Sequence, residues 1–88
     1  MFLAKIYVTL KPTVNDPQGE TVLGALKSLG FNSVDSVRVG KYMELNVAEE
    51  ERKQAERRVG EMCDKLLANP VIEEFRFELQ EMPDGQSP

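Results

Sequence analysis

The sequence predicts a single α+β domain in which one antiparallel sheet carries two helices on one face. Three observations predict it. Apolar and polar residues alternate with the period of a strand at Leu3–Leu10 and again at Val71–Leu79. Two apolar stripes of helical period lie between these stretches. A strand, turn and strand pattern at Val34–Leu45 separates the two stripes. The order is therefore β-α-β-β-α-β, and 88 residues are enough for one core but not for two.

In the first alternation Ala4, Ile6, Val8 and Leu10 form the apolar face, and Lys5, Tyr7 and Thr9 the other. Lys11–Asn15 reads as a loop. Asp16 then offers a side-chain cap, and Pro17 suits the first helical position. Val22, Leu26 and Leu29, flanked by Leu23 and Ala25, give the stripe of a helix over Pro17–Leu29, with Gly30 as its left-handed stop. This helix is expected despite Gly19 and Gly24, which cost about 1 kcal/mol each relative to Ala.

The hairpin pattern conflicts with itself. A two-residue turn at Gly40-Lys41 pairs Val39 with Tyr42 and Val37 with Glu44. Val37 and Val39 then lie on the opposite face from Met43, Leu45 and Val47. Either a bulge shifts the register, or both faces of the sheet are covered, one by the helices and one by another subunit.

Glu49, Glu50 and Glu51 crowd the first turn of a second helix, where the dipole favours negative charge. Ala55, Val59, Met62 and Leu66 make its stripe, with Cys63 and Leu67 beside them, and Pro70 ends it. In the last strand Phe75, Phe77 and Leu79 share one face and Glu74, Arg76 and Glu78 the other. The domain spans residues 1–80, and the polar residues 81–88 read as a flexible tail. The whole closes most simply in the manner of a ferredoxin-like or similar sandwich.

A domain this small removes only about 60–65% of its unfolded surface from water, so stabilisation by a partner is expected. Fifteen acidic against eleven basic side chains give a net charge of −4, which repels phosphate backbones and argues against nucleic acid. No apolar run approaches a membrane span or a signal-peptide core. Cys63 is the sole cysteine, so an intrachain disulfide is excluded, in keeping with a reducing cytoplasm.

The chain has no histidine, the commonest acid-base group and metal ligand. Gly40-Lys41 is not a phosphate-binding loop, because Asp35 stands where that motif needs glycine and Tyr42 where it needs Ser or Thr. Cys63 falls on an apolar helix face with nothing to lower its pKa, so packing outweighs nucleophilic chemistry by roughly ten to one. The glutamate runs at Glu49–Glu51 and Glu73-Glu74 lack calcium-loop spacing, and no cofactor or metal site is expected in this chain. Arg38, between Val37 and Val39, and Tyr7 and Tyr42, each on the less apolar side of its strand, are the candidates for a partner surface.

Four stretches carry a resemblance: Val14–Gly19 opening the first helix, Leu29-Gly30-Phe31 closing it, Val37–Leu45 in the hairpin, and Leu66–Glu73 entering the last strand. Together they resemble the PurS family, the small subunit of phosphoribosylformylglycinamidine synthase, over Leu3 to about Leu79. Asp16, Pro17 and Gly19 match the helix-opening motif. Arg38, Gly40 and Lys41 match the hairpin motif, and Asn69, Pro70 and Glu73 the motif between helix and strand. Asp16, Pro17, Gly40 and Pro70 have local structural roles, so contact roles fall first on Arg38, Lys41 and Glu73.

The resemblance implies a non-catalytic subunit of an ATP-dependent amidotransferase complex of purine biosynthesis in the cytoplasm. Its implied partners are a second copy of itself, as a dimer or dimer of dimers, the large synthase subunit PurL and the glutaminase subunit PurQ. ATP and magnesium are implied in the large subunit. A free-standing oligomeric regulatory module that binds a small metabolite between paired subunits is the alternative, and an enzyme in its own right is poorly supported without histidine.

Overall fold

The middle strand of the sheet is the first one in the chain, because it carries the most continuous apolar alternation. A computed structural model describes residues 1–83, with β1 at Phe2–Leu10, α1 at Pro17–Ser28, β2 at Gly40–Val47, α2 at Arg52–Met62 and β3 at Glu73–Glu81. The sheet has the order β2-β1-β3, and both neighbours run antiparallel to β1. Phe2, Ala4, Ile6 and Val8 are buried on its inner face. Burying side chains of the size of Phe2, Ile6 or Val8 stabilises the fold by about 1.5–3 kcal/mol each.

The register places Met43, Leu45 and Val47 beside Ile6, Ala4 and Phe2 on that same face. Phe75, Phe77 and Leu79 join them from β3, opposite Val8, Ile6 and Ala4. The outer face carries Lys5, Tyr7 and Thr9 between Tyr42 and Glu44 on one side and Glu74, Arg76 and Glu78 on the other. Ala55, Val59 and Cys63 of the second helical segment are fully buried against the inner face. No helix among the described residues is long and apolar enough to cross a membrane.

The α+β class and the antiparallel sheet are as the sequence reads, but there are three strands, in the order β-α-β-α-β. The expected strand at Val34–Val39 is irregular chain, and Gly40-Lys41 opens β2 instead of turning between two strands. The reason is capture by side chains. The Val39 N–H goes to the Asp16 carboxylate, not to a neighbouring strand. Without that strand the conflict of faces disappears, since Val37 and Val39 have no place in the sheet.

Gly40 lies opposite Thr9 at the start of β2, where a Cβ would come within 2.5 Å of the Val8 carbonyl oxygen. Close approach, not a positive φ, requires glycine here, whereas Gly30 does take φ 95° after α1. The apolar stripe of α1 does not sink into the sheet: Leu29 is 73% and Phe31 55% exposed.

Glu51 precedes α2 as its cap residue, without a side-chain cap bond, so the glutamate run lies ahead of the helix and not in its first turn. Past Met62 the helix widens into a π-helical turn, Cys63–Leu67, closed by the Ala68 N–H on the Cys63 carbonyl at 2.9 Å. The extra residue rotates the buried line from Cys63 to Ala68 and turns Leu66, expected in the stripe, to 82% exposure. Val71 and Ile72 belong to a turn before β3, which runs through Glu81, and the Met82 N–H reaches the Met1 carbonyl at 2.8 Å. The remainder of the expected tail, residues 84–88, lies outside the described residues.

Candidate functional site

Local chemistry at the start of α1 gathers three separate segments. Asp16 is buried, and its two carboxylate oxygens accept from the Gly19 N–H at 2.9 Å and from the Val39 N–H at 2.8 Å. One oxygen caps the helix and the other ties down the chain ahead of β2. These two bonds hold the Asp16 carboxyl below its ordinary 3.8; burial opposes them, and the nearby Arg38 charge adds to them.

Arg38 completes the knot. Its guanidinium donates to the carbonyls of Lys11 at 2.9 Å, Val14 at 3.1 Å and Leu10 at 3.3 Å. A planar fork with several fixed donors suits this; an ammonium group does not. Pro17 starts α1, and Gly19 is buried where the chain of Val37 passes.

A second knot lies at the same end of the sheet. Lys41 on β2 and Glu73 on β3 meet over β1 at 3.6 Å, and the other Glu73 oxygen accepts from the Asn69 N–H at 2.7 Å. Asn69 in turn accepts from the Val71 N–H through its side chain and from the Glu73 N–H through its carbonyl. Pro70 fits this turn, where no helical N–H is needed. Arg38, Lys41, Glu73 and Asn69 thus make bonds inside the chain that fix the two loops.

Tyr7 and Tyr42 face each other on the outer face, with ring centroids 5.0 Å apart. The Tyr42 hydroxyl donates to Glu44 at 2.7 Å, which together with burial pushes its pKa up to about 12. The Arg76 guanidinium lies 3.9 Å from the centre of the Tyr7 ring and 3.3 Å from Glu78. Reading the sequence alone misses Arg76 as a member of this group. Its signal is the pairing of β1 with β3, which sets Arg76 opposite Tyr7.

An open cavity of about 510 Å³ at this end is lined by Tyr7, Thr9, Lys41, Tyr42, Glu74 and Arg76, among others. Its two cations are already engaged, by Glu73 and by Glu78. Cys63 is buried with its thiol pushed up by that burial, which disfavours the thiolate. Among the described residues no cluster of three or more ligating side chains could hold a metal ion. Two aromatic rings and an arginine thus lie together on the outer face of the sheet, flanked by the pinned loops.

The fold defines a small α+β module built on a three-stranded antiparallel sheet. The family model PurS, described as phosphoribosylformylglycinamidine (FGAM) synthase, matches residues 3–81, and the chain belongs to this family. It is 50% identical over 82 residues to the phosphoribosylformylglycinamidine synthase subunit PurS of Bacillus subtilis (strain 168), covering 93% of this chain and 96% of that one. Identity to the subunit of the same name from Synechocystis sp. is 43%, covering 96% and 84%. Among solved structures, PurS of B. subtilis superposes with a TM-score of 0.83 at 51% identity, covering 92% of this chain and all of that one. A chain of the structure of PurLQS from Thermotoga maritima superposes with a TM-score of 0.81 at 31% identity, covering 91% and 99%.

Proposed function

We propose that the chain is the non-catalytic PurS subunit of phosphoribosylformylglycinamidine synthase. It holds the glutaminase PurQ and the ATP-dependent synthase PurL together in the cytoplasm, so that ammonia from glutamine reaches formylglycinamide ribonucleotide. The observation that carries this reading is the extent of the likeness: it runs through nearly the whole chain and includes a relative solved as PurLQS. ATP and magnesium belong to the large subunit. The chain acts as a self-associated unit, and its docking surface includes Tyr7 and Tyr42, with Arg38, Lys41 and Glu73 at its margin.

The geometry fits the task physically. Free ammonia diffuses away or is protonated in water, so passage between two active sites needs a closely fitted joint. A sheet with pinned loops supplies a surface that pays little ordering entropy on binding. The test compares FGAM formation by PurL and PurQ with and without this chain, fed with glutamine or with ammonia. The glutamine rate rises on adding the chain while the ammonia rate hardly changes. Glutamine turnover that is indifferent to the chain removes the coupling role.

A second reading, a metabolite-binding module, draws on the cavity beside Tyr7 and Tyr42. Saturable thermal stabilisation of the isolated chain by a nucleotide or amino acid is its signature.

A further inference from the structure

We propose that the open cavity beside Tyr7 and Tyr42 is a socket for an arginine side chain from another subunit of the synthase, with its guanidinium stacked on Tyr42 and hydrogen-bonded to Glu74. The proposal rests on the docking role read above and names what that surface holds.

The socket is a gap in the outer face of the sheet. Side chains there stand in rows across the strands: Glu44, Lys5 and Glu78, then Tyr42, Tyr7 and Arg76, then Gly40, Thr9 and Glu74. The last row has no side chain on β2. The space this leaves at Gly40 and Thr9 belongs to the cavity of about 510 Å³, with the tyrosine row beside it and Glu74 across from Gly40. A Cβ at Gly40 would run into the Val8 carbonyl, so the backbone itself keeps the gap open.

Charge decides what the gap takes. Arg76 is turned to Glu78 at 3.3 Å, and Lys41 at the rim is paired with Glu73 at 3.6 Å. Arg38 borders a neighbouring cavity that also includes Glu74, but it donates to the carbonyls of Leu10, Lys11 and Val14. Among the described residues, the exposed Glu74 carboxylate and Thr9 hydroxyl have no hydrogen-bond or ion-pair partner. The outer face carries Glu44, Glu74 and Glu78 against Lys5 and Arg76, so it is net negative. A cation with several donors suits it.

The aromatic wall selects a planar cation. A guanidinium lies flat on a ring and forks onto a carboxylate, which an ammonium group cannot do. Arg76 already covers the Tyr7 ring at 3.9 Å, which leaves Tyr42. That ring is 50% exposed, and its hydroxyl is tied to Glu44. The openness of the cavity selects a protein as the carrier. A free small molecule needs most of its surface covered to bind, whereas an arginine presented by a larger contact does not.

The experiment compares Glu74→Gln with Glu56→Gln, which removes the same charge from exposed α2 on the other side of the sheet. Calorimetric titration measures the affinity of each chain for PurL with PurQ, after circular dichroism confirms the native fold. Glu74→Gln binds about tenfold more weakly and Glu56→Gln binds like the unmodified chain. Ethylguanidinium chloride weakens assembly of the unmodified chain more than sodium chloride of equal ionic strength does, and Glu74→Gln lacks this extra sensitivity. If the two variants bind equally well, or the guanidinium has no extra effect, the socket is refuted while the docking role stands. Sedimentation that shows Glu74→Gln loosening self-association makes a second copy the occupant and overturns the proposal. Saturable binding of a nucleotide or amino acid that Glu74→Gln abolishes overturns it as well. A chain that forms no complex with PurL and PurQ removes both the socket and the docking role.

Discussion

Two glycines of α1 respond in opposite directions to the same substitution. Helix propensity alone makes Gly→Ala stabilising by about 1 kcal/mol at an interior position. Around Gly24 there is open space, so Gly24→Ala keeps that full gain. A Cβ on Gly19 would overlap the carbonyl oxygen of Val37 and stand 2.7 Å from the Asp16 carboxylate. A backbone oxygen cannot rotate aside, and forcing such a contact costs about 1–3 kcal/mol.

The net for Gly19→Ala is therefore a loss of about 1 kcal/mol against a gain of about 1 kcal/mol for Gly24→Ala. For a chain of this length each kcal/mol moves the melting temperature by about 4–8 °C, so the two variants separate by roughly 10 °C or more. Thermal unfolding followed by circular dichroism at one fixed protein concentration measures this, because association itself raises Tm. If Gly19→Ala raises Tm as far as Gly24→Ala does, the packing of Val37 on α1 is not tight and the account of this motif fails.

The Asp16 carboxyl titrates lower folded than unfolded, so its contribution to stability is complete above pH 3.8 and is lost as pH falls through the lower folded value. Acid unfolding of Asp16→Asn shows a shallower slope in that window than the unmodified chain. Tyr42 behaves in the reverse sense: its folded pKa of about 12 exceeds the ordinary 10, so its contribution is complete below pH 10 and is lost as pH rises through about 12. Ultraviolet titration of tyrosinate finds one group ionising near pH 12, and Glu44→Gln moves that midpoint down. A midpoint indifferent to Glu44 means the hydroxyl does not hold its proton toward that carboxylate.

The sequence made β1, both ends of α1 and the inner face of β3 legible, because each is written in local spacing or in a cap residue. Val37 and Val39 misled for a physical reason. Their alternation is that of a strand, but their backbone is claimed by Asp16 and packed on Gly19, residues far back in the chain. The Asp16 cap on Gly19 and the Asn69–Glu73 turn are local and follow from spacing, whereas the bonds of Arg38 to Leu10, Lys11 and Val14 and of Asp16 to Val39 span more than twenty residues and do not. Leu66 points outward because one helical turn gained a residue, and only packing decides that. The partnership of Arg76 with Tyr7 needed the strand order, which local pattern does not contain.

The π-helical turn at Cys63–Leu67 also makes segment length a control on direction. Deleting one residue inside it returns the chain to the ordinary helical repeat and turns everything beyond it by about 100°. Leu66 would swing toward the sheet and Ala68 away from it, while β3 could keep its place only by drawing on the short turn before Glu73. A single codon lost or gained here thus redirects an exposed leucine without changing the chemistry of any side chain, a coarser lever on surface shape than point substitution.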